Sequence, residues 1–130
     1  MKILAGVEGK IVICGMGKSG HVGRKMAATM TSTGSPAYFL HPSEGIHGDL
    51  GILQKNDVAV VLSKSGETEE IALLLPCFKR LNIPIVAITR SGNSLLSRVA
   101  DVVLPLPDMK EACPHDLAPT ASTTSMMALG

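Results

Sequence analysis

Ser63-Lys64-Ser65-Gly66-Glu67-Thr68 is the stretch whose residue types best suit an anion. It follows an apolar run and opens a helical pattern, and the free N–H groups of a helix start attract negative charge. Serine and threonine hydroxyls add donors without bulk, and Gly66 lets the backbone come close. Ordinary capping by Ser65 or Ser63, with acids in the first turn, would account for one hydroxyl. Three hydroxyls and a glycine at the end of a central strand fit a phosphate cradle better. Ser63, Ser65, Gly66 and Thr68 are therefore the candidate phosphate ligands.

Three further stretches carry charge or imidazole. Gly15-Met16-Gly17-Lys18-Ser19-Gly20 matches GxGxxG, but a dinucleotide fingerprint also needs an acid roughly 20 residues on, and Leu40 and His41 stand there instead. A Walker A reading fails because Val12 occupies the place of its first glycine. A tight strand-to-helix turn explains the glycines and leaves Lys18 as a cation at the mouth of a crevice. In His41-Pro42-Ser43-Glu44-Gly45-Ile46-His47-Gly48-Asp49, His41 and His47 could hold zinc or another divalent metal. That spacing matches no standard metal motif, and loop histidines more often bond locally or touch a substrate. Glu111, in Met109-Lys110-Glu111-Ala112-Cys113-Pro114, would act as a general base if a partly desolvated crevice raised its pKa. A solvated loop glutamate is the plainer alternative, and Cys113 has no argued base partner as a nucleophile.

The elements that must position these residues are short. Ile11–Cys14, Ala37–Leu40, Asp57–Leu62, Ile85–Ile88 and Asp101–Leu104 read as strands, the third apolar enough to be buried on both faces. Helical patterns fill the gaps: Gly20 to about Thr33, Glu67 to about Leu81 with Pro76 expected to bend or weaken it, Leu95–Val99, and a last helix opening near Thr120. Right-handed crossovers then make an α/β, doubly wound, flavodoxin- or Rossmann-like sheet of five parallel strands with helices on both faces. Ligands of such sheets sit beyond the carboxyl ends of the strands. The polar loops 15–20, 41–51, 63–68 and 107–120 should converge there. Nothing helical is expected before the first strand, and both ends look abrupt, so a piece of a longer protein is expected.

Composition narrows the ligand. With 130 residues the chain fits one domain. A net charge of +1 argues against a nucleic-acid footprint, and 2% aromatics leaves almost no stacking platform for bases. No apolar stretch approaches the roughly 18 residues of a membrane span. Cys14, Cys77 and Cys113 are odd in number and form no CxxC pair, which suits a reducing cytoplasm. A small molecule is the expected ligand.

GMGKSGHVGRKMAATMTSTGSPAYFLHPSEGIHGDLG, SKSGETEEI and EACPHDLAPTASTT, in this order and spacing, together resemble the SIS (sugar isomerase) domain. More narrowly they resemble the arabinose-5-phosphate isomerases, over nearly the whole chain from about Gly9. The resemblance implies interconversion of D-ribulose 5-phosphate and D-arabinose 5-phosphate, feeding synthesis of the lipopolysaccharide sugar Kdo, with no redox cofactor. It implies that Ser63, Ser65 and Thr68 hold the phosphate, helped by Gly34 and Ser35. Lys18, His41 and His47 would line the site, with Lys18 stabilising an enediolate oxygen. Glu70 and Glu111 match acidic positions important for activity, one moving the proton between C1 and C2 and the other assisting ring opening or hydroxyl protonation.

The same resemblance implies a homotetramer whose sites are built across subunit boundaries. An N-terminal helical region, a later active-site histidine beyond the last helix, and CBS modules are family features that this sequence does not show. Lys64 stands where asparagine is common in relatives. A nucleotide sugar such as CMP-Kdo is a possible inhibitor of the same crevice. The rival from another class is a non-catalytic sugar-phosphate sensor, which needs only the phosphate loop, whereas Lys18, Glu70 and Glu111 together favour an enzyme.

Overall fold

Among the described residues of the computed structural model (2–90, 92–115 and 117–130), five apolar runs pair into one sheet. They are β1 (Ile11–Gly15), β2 (Ala37–Leu40), β3 (Val58–Leu62), β4 (Ile85–Thr89) and β5 (Val102–Pro105). All neighbours are parallel, in the order β2-β1-β3-β4-β5. This is the flavodoxin-like order, which decides between the two doubly wound families expected. β1, β3 and β4 are buried along their whole length, as strands covered on both faces must be.

The strand side chains alternate between two cores. Val12, Cys14, Ala59, Val61, Ile85 and Ala87 face one way, toward α4 (Glu69–Arg80) and α5 (Leu95–Val99). Ile11, Ile13, Val60, Leu62 and Ile88 face the other, toward α2 (Gly17–Ser32) and α6 (Ala121–Leu129). Burial pushes the Cys14 thiol up to about 12, so it is an uncharged core residue. At the amino ends of the strands, buried Asp57 ties the entries of β1 and β3 together. Its carboxylate accepts from Lys10 N at 3.0 Å, Lys10 Nζ at 2.7 Å and Gln54 N at 2.8 Å. Burial alone would raise its pKa, but the Lys10 ammonium and the two backbone N–H groups outweigh this and lower it.

Four local features differ from the sequence reading. A short helix, α1 (Lys2–Ala5), precedes the first strand, and its Ile3 and Leu4 pack on the α2 side of the sheet. Four residues are too few to show a periodicity. α2 begins at Gly17 rather than Gly20, because Gly17 takes φ +53° and Gly20 N donates to Met16 O at 3.1 Å, winding the turn tightly against the strand. A Cβ on Gly20 would meet the Gly15 carbonyl oxygen at 2.7 Å, so backbone proximity explains that glycine. The stretch read as the loop 41–51 contains α3 (Pro42–Ile46) and a 3-10 turn (Asp49–Ile52); Pro42 sits at the start of α3 and Gly45 packs against Leu74.

Finally, α4 runs unbroken through Pro76. An interior proline costs about 3 kcal/mol. Burying Ile71, Leu74, Leu75 and Phe78 returns about 1.5–3 kcal/mol each, so packing wins. Phe78 is fully buried at the centre of that face. Phe78→Ala is expected to cost about 3–5 kcal/mol, measured as a shift of the urea unfolding midpoint. A loss below about 1 kcal/mol would show that α4 does not depend on this contact.

Candidate active site

The strand order reverses between β1 and β3, and their following helices leave for opposite faces. A crevice must open there at the carboxyl ends. Two adjoining pockets occupy it. The first, about 310 Å³, is lined by Met16 and Ser19 after β1, by Leu62, Ser63, Lys64, Ser65 and Thr68 after β3, and by Arg90 after β4. The second, about 330 Å³, is lined by Lys64, Arg90, Asp108, Met109, Lys110 and Glu111. Both are of small-ligand size. Lys64 and Arg90 form their common wall.

The Ser63–Thr68 loop is built for close backbone approach. Gly66 takes φ +71°, and a Cβ there would meet the Ser94 side chain, its Cβ at 2.5 Å, and Thr89 Oγ1 at 3.0 Å. The loop is pinned to β4 and α5 by Ser63 N to Ile88 O, Arg90 N to Lys64 O and Leu96 N to Gly66 O, each at 3.1 Å. Glu67 holds it further by accepting from Leu95 N at 2.8 Å. The hydroxyls are drawn together: Ser63 Oγ lies 2.9 Å from Thr68 Oγ1 and accepts from Gly66 N at 3.0 Å. Ser65 Oγ accepts from Glu67 N at 3.2 Å. Thr68 is the N-cap residue of α4 but makes no side-chain cap bond, so the capping reading does not account for its hydroxyl. Ser63, Ser65 and Thr68 line the first pocket just ahead of α4, and hydroxyls that can rotate toward a ligand beside a helix start are what a phosphate needs.

Glu111 is only 7% exposed, which removes the alternative of a solvated loop glutamate. Its Oε1 accepts from Lys64 Nζ at 2.7 Å. Its Oε2 accepts from Thr120 N at 2.7 Å, Thr120 Oγ1 at 3.0 Å and Ser122 N at 3.3 Å, at the start of α6. The expected rise in pKa is overturned. The Lys64 bond, with those from Ser122 and Thr120, outweighs desolvation and holds the carboxyl far below its ordinary range. The partner cation lies 47 positions away in the chain and the cap belongs to a separate helix, so no local pattern could show either.

The other candidates are scattered within one chain. Lys18 lines a different, mainly apolar hollow with His21, Val22, Thr123, Thr124, Met127 and Ala128, between α2 and α6. Glu70 is half-buried in the first turn of α4 and lines neither of the two pockets. His41 and His47 flank α3, outside both pockets, with the His41 ring edge-on to Phe39 at 6.4 Å between centroids. Among the described residues no three of His, Cys, Asp and Glu stand where they could share a metal ion. Gly34, with φ +92°, and Ser35 lie between α2 and the amino end of β2, whereas Ser63 lies past the carboxyl end of β3. Within one chain a strand length of roughly 13 Å separates them from the phosphate loop.

Arg90 was not singled out from the sequence, although it lines both pockets. Among the described residues its guanidinium makes an exposed contact with Asp108, at 3.4 Å. The available signal was its position directly after the Ile85–Thr89 strand, since every strand end in such a sheet faces the ligand.

The SIS domain family model matches residues 4–130. Arabinose 5-phosphate isomerase KdsD of Shigella flexneri is 54% identical over 123 residues, 95% of this chain and 38% of that protein. Arabinose 5-phosphate isomerase KpsF of Escherichia coli is 50% identical over 130 residues, 100% of this chain and 41% of that protein. The chain thus spans about two fifths of the length of these relatives. A solved structure from Escherichia coli CFT073, in complex with A5P, superposes with a TM-score of 0.95 at 42% identity, over 98% of this chain and 68% of that one.

Two outcomes are expected from this geometry. Gly66→Ala should cost at least about 1–2 kcal/mol in urea unfolding, because it adds a Cβ both at positive φ and against Ser94. An unchanged midpoint would show that the loop has room to relax. Glu111 lies lower in the folded chain than its unfolded value of about 4.3. Its bonds therefore stabilise fully above that value and fade as pH falls toward the folded one. Urea midpoints should drop from pH 6 to pH 3, and less steeply for Glu111→Gln. Parallel curves would contradict the assignment.

Proposed function

This chain belongs to the SIS domain family, and we propose on that premise that it interconverts D-ribulose 5-phosphate and D-arabinose 5-phosphate. The observation that carries the reading is the adjoining of two pockets, one a phosphate cradle and the other holding a buried carboxylate, across Lys64. The Ser63–Thr68 loop takes the phosphate, which directs C1 and C2 of the sugar toward the second pocket. From ribulose 5-phosphate a carboxylate takes a proton from C1; the electron pair forms the C1=C2 bond while the C2 carbonyl pair moves to O2, which takes a proton to give the enediol. O1 then gives up its proton as C2 receives the one held by the carboxylate, leaving an aldehyde at C1 and a hydroxyl at C2. No electron leaves the substrate, so the reaction calls for no redox cofactor. Glu111 is the carboxylate that lines the second pocket and bonds Lys64 of the phosphate loop, and it moves the proton; Glu70 assists ring opening or hydroxyl protonation, or the two exchange these roles.

Lys18, His41, His47, Gly34 and Ser35, which one chain leaves apart from the pockets, serve sites shared between subunits in a homotetramer. Any divalent ion at His41 and His47 is a modulator of that shared site. We place the reaction in the cytoplasm, supplying Kdo synthesis, with CMP-Kdo as a nucleotide sugar able to occupy the crevice. No helix among the described residues is long and apolar enough to cross a membrane.

The test is to incubate the full-length protein with ribulose 5-phosphate and follow arabinose 5-phosphate by NMR. Conversion is expected. Glu111→Gln should lower kcat by at least about 100-fold while sugar-phosphate binding survives. Binding without conversion in the unaltered protein would place it with the sensors. Normal turnover in Glu111→Gln would remove that residue from the chemistry.

A further inference from the structure

Glu111 as found is poorly suited to the role just given it. An ammonium lies 2.7 Å from Oε1, and Oε2 is engaged three times over at the start of α6. Oε1 keeps a second lone pair, but with the ammonium against it the carboxylate is a weak base, and it regains basicity only when that partner leaves. The pair is asymmetric in a way that shows which partner can. Glu111 has a side chain 4% exposed and tied at its far oxygen, whereas that of Lys64 is 39% exposed on a flexible four-carbon stem. The Lys64 backbone is itself held, its carbonyl accepting from Arg90 N at 3.1 Å and Thr89 Oγ1 at 3.4 Å. Only the stem is free to swing. Lys64 also belongs to the lining of both pockets, so a swing carries its charge from one to the other.

We propose that Lys64 is a positioning residue linking the two pockets: an anion seated on the Ser63–Thr68 loop draws its ammonium off Glu111, freeing Oε1 to act on the sugar. This rests on the reading of that loop as a phosphate site. A phosphate near neutrality carries up to two charges and several acceptor oxygens, and so outbids a single carboxylate oxygen for an ammonium. Among the described residues, the charged groups that line the second pocket with Glu111 are Asp108, Lys110 and Arg90 besides Lys64. Of these, Arg90 is engaged with Asp108 and makes no bond to Glu111. The carboxylate therefore stays bound when no phosphate is present and is released when substrate arrives, which confines the base to the loaded site.

Competition for one ammonium is reciprocal, so it can be read from binding alone. Inorganic phosphate is titrated calorimetrically into the full-length protein and into Glu111→Gln, Lys64→Met and the double variant, each first shown to be folded at the temperature of the titration. Glutamine keeps an acceptor for Thr120 and Ser122 but no longer holds the ammonium. Glu111→Gln should tighten phosphate by about 5-fold or more where Lys64 is present. In the Lys64→Met background the same substitution should change affinity less than about 2-fold, and Lys64→Arg should restore the gain. Lys64→Gln replaces Lys64→Met should the latter unfold. Equal gains in both backgrounds would mean simple charge removal and would overturn the link while leaving the phosphate site standing. Phosphate binding in none of the proteins would overturn the phosphate site and the link together.

Discussion

Everything functional in this domain follows from one geometric constraint: β1 and β3 lie side by side, yet their crossover helices must cover opposite faces of the sheet. Each face needs helices because β1, β3 and β4 are buried on both sides. α2 therefore turns one way and α4 the other, and the loops between strand and helix are pulled apart. The gap they leave is lined by polar residues of the strand-end loops, with Leu62 at the end of β3 beneath them. A small anion with a polar sugar attached suits such a place.

Two buried carboxylates mark the two ends of that sheet, and the same chemistry serves different ends. Asp57 and Glu111 each accept one lysine ammonium and more than one backbone N–H. Both are lowered in pKa as a result. At the amino end, Lys10 and Asp57 belong to the entries of adjacent strands and hold them in register. At the carboxyl end, Lys64 and Glu111 join across a crevice, Lys64 lining both pockets and Glu111 the second. A pair inside a scaffold stiffens it, whereas a pair across a pocket can be exchanged for a ligand.

How much of this was visible in the chain depends on the range of the interaction. Ala37–Leu40 was placed to the residue, and the other strands to within one, because apolar runs bounded by turns declare themselves locally. Gly66 was legible as a point of close approach, since positive φ has few other causes at a strand-to-helix turn. α3 was not, because its five residues are helical mainly through packing on α4, shown by Gly45 against Leu74. Pro76 misled for the related reason that its local cost is outweighed by burial on the opposite side of the helix.

The sequence by itself determined the fold class, the strand-end loops and, through a resemblance of several motifs in order, the family. These are properties of residue type and of spacing along the chain. Only the tertiary structure decided the state of the residues that would do chemistry. It brought Lys64 onto Glu111 from 47 positions away, capped α6 with the same carboxylate, added Arg90 to the wall, and left Lys18 and His41 outside the pockets. The physical reason is that protonation depends on charges and dipoles within a few ångströms in space, and the folded chain alone sets which those are.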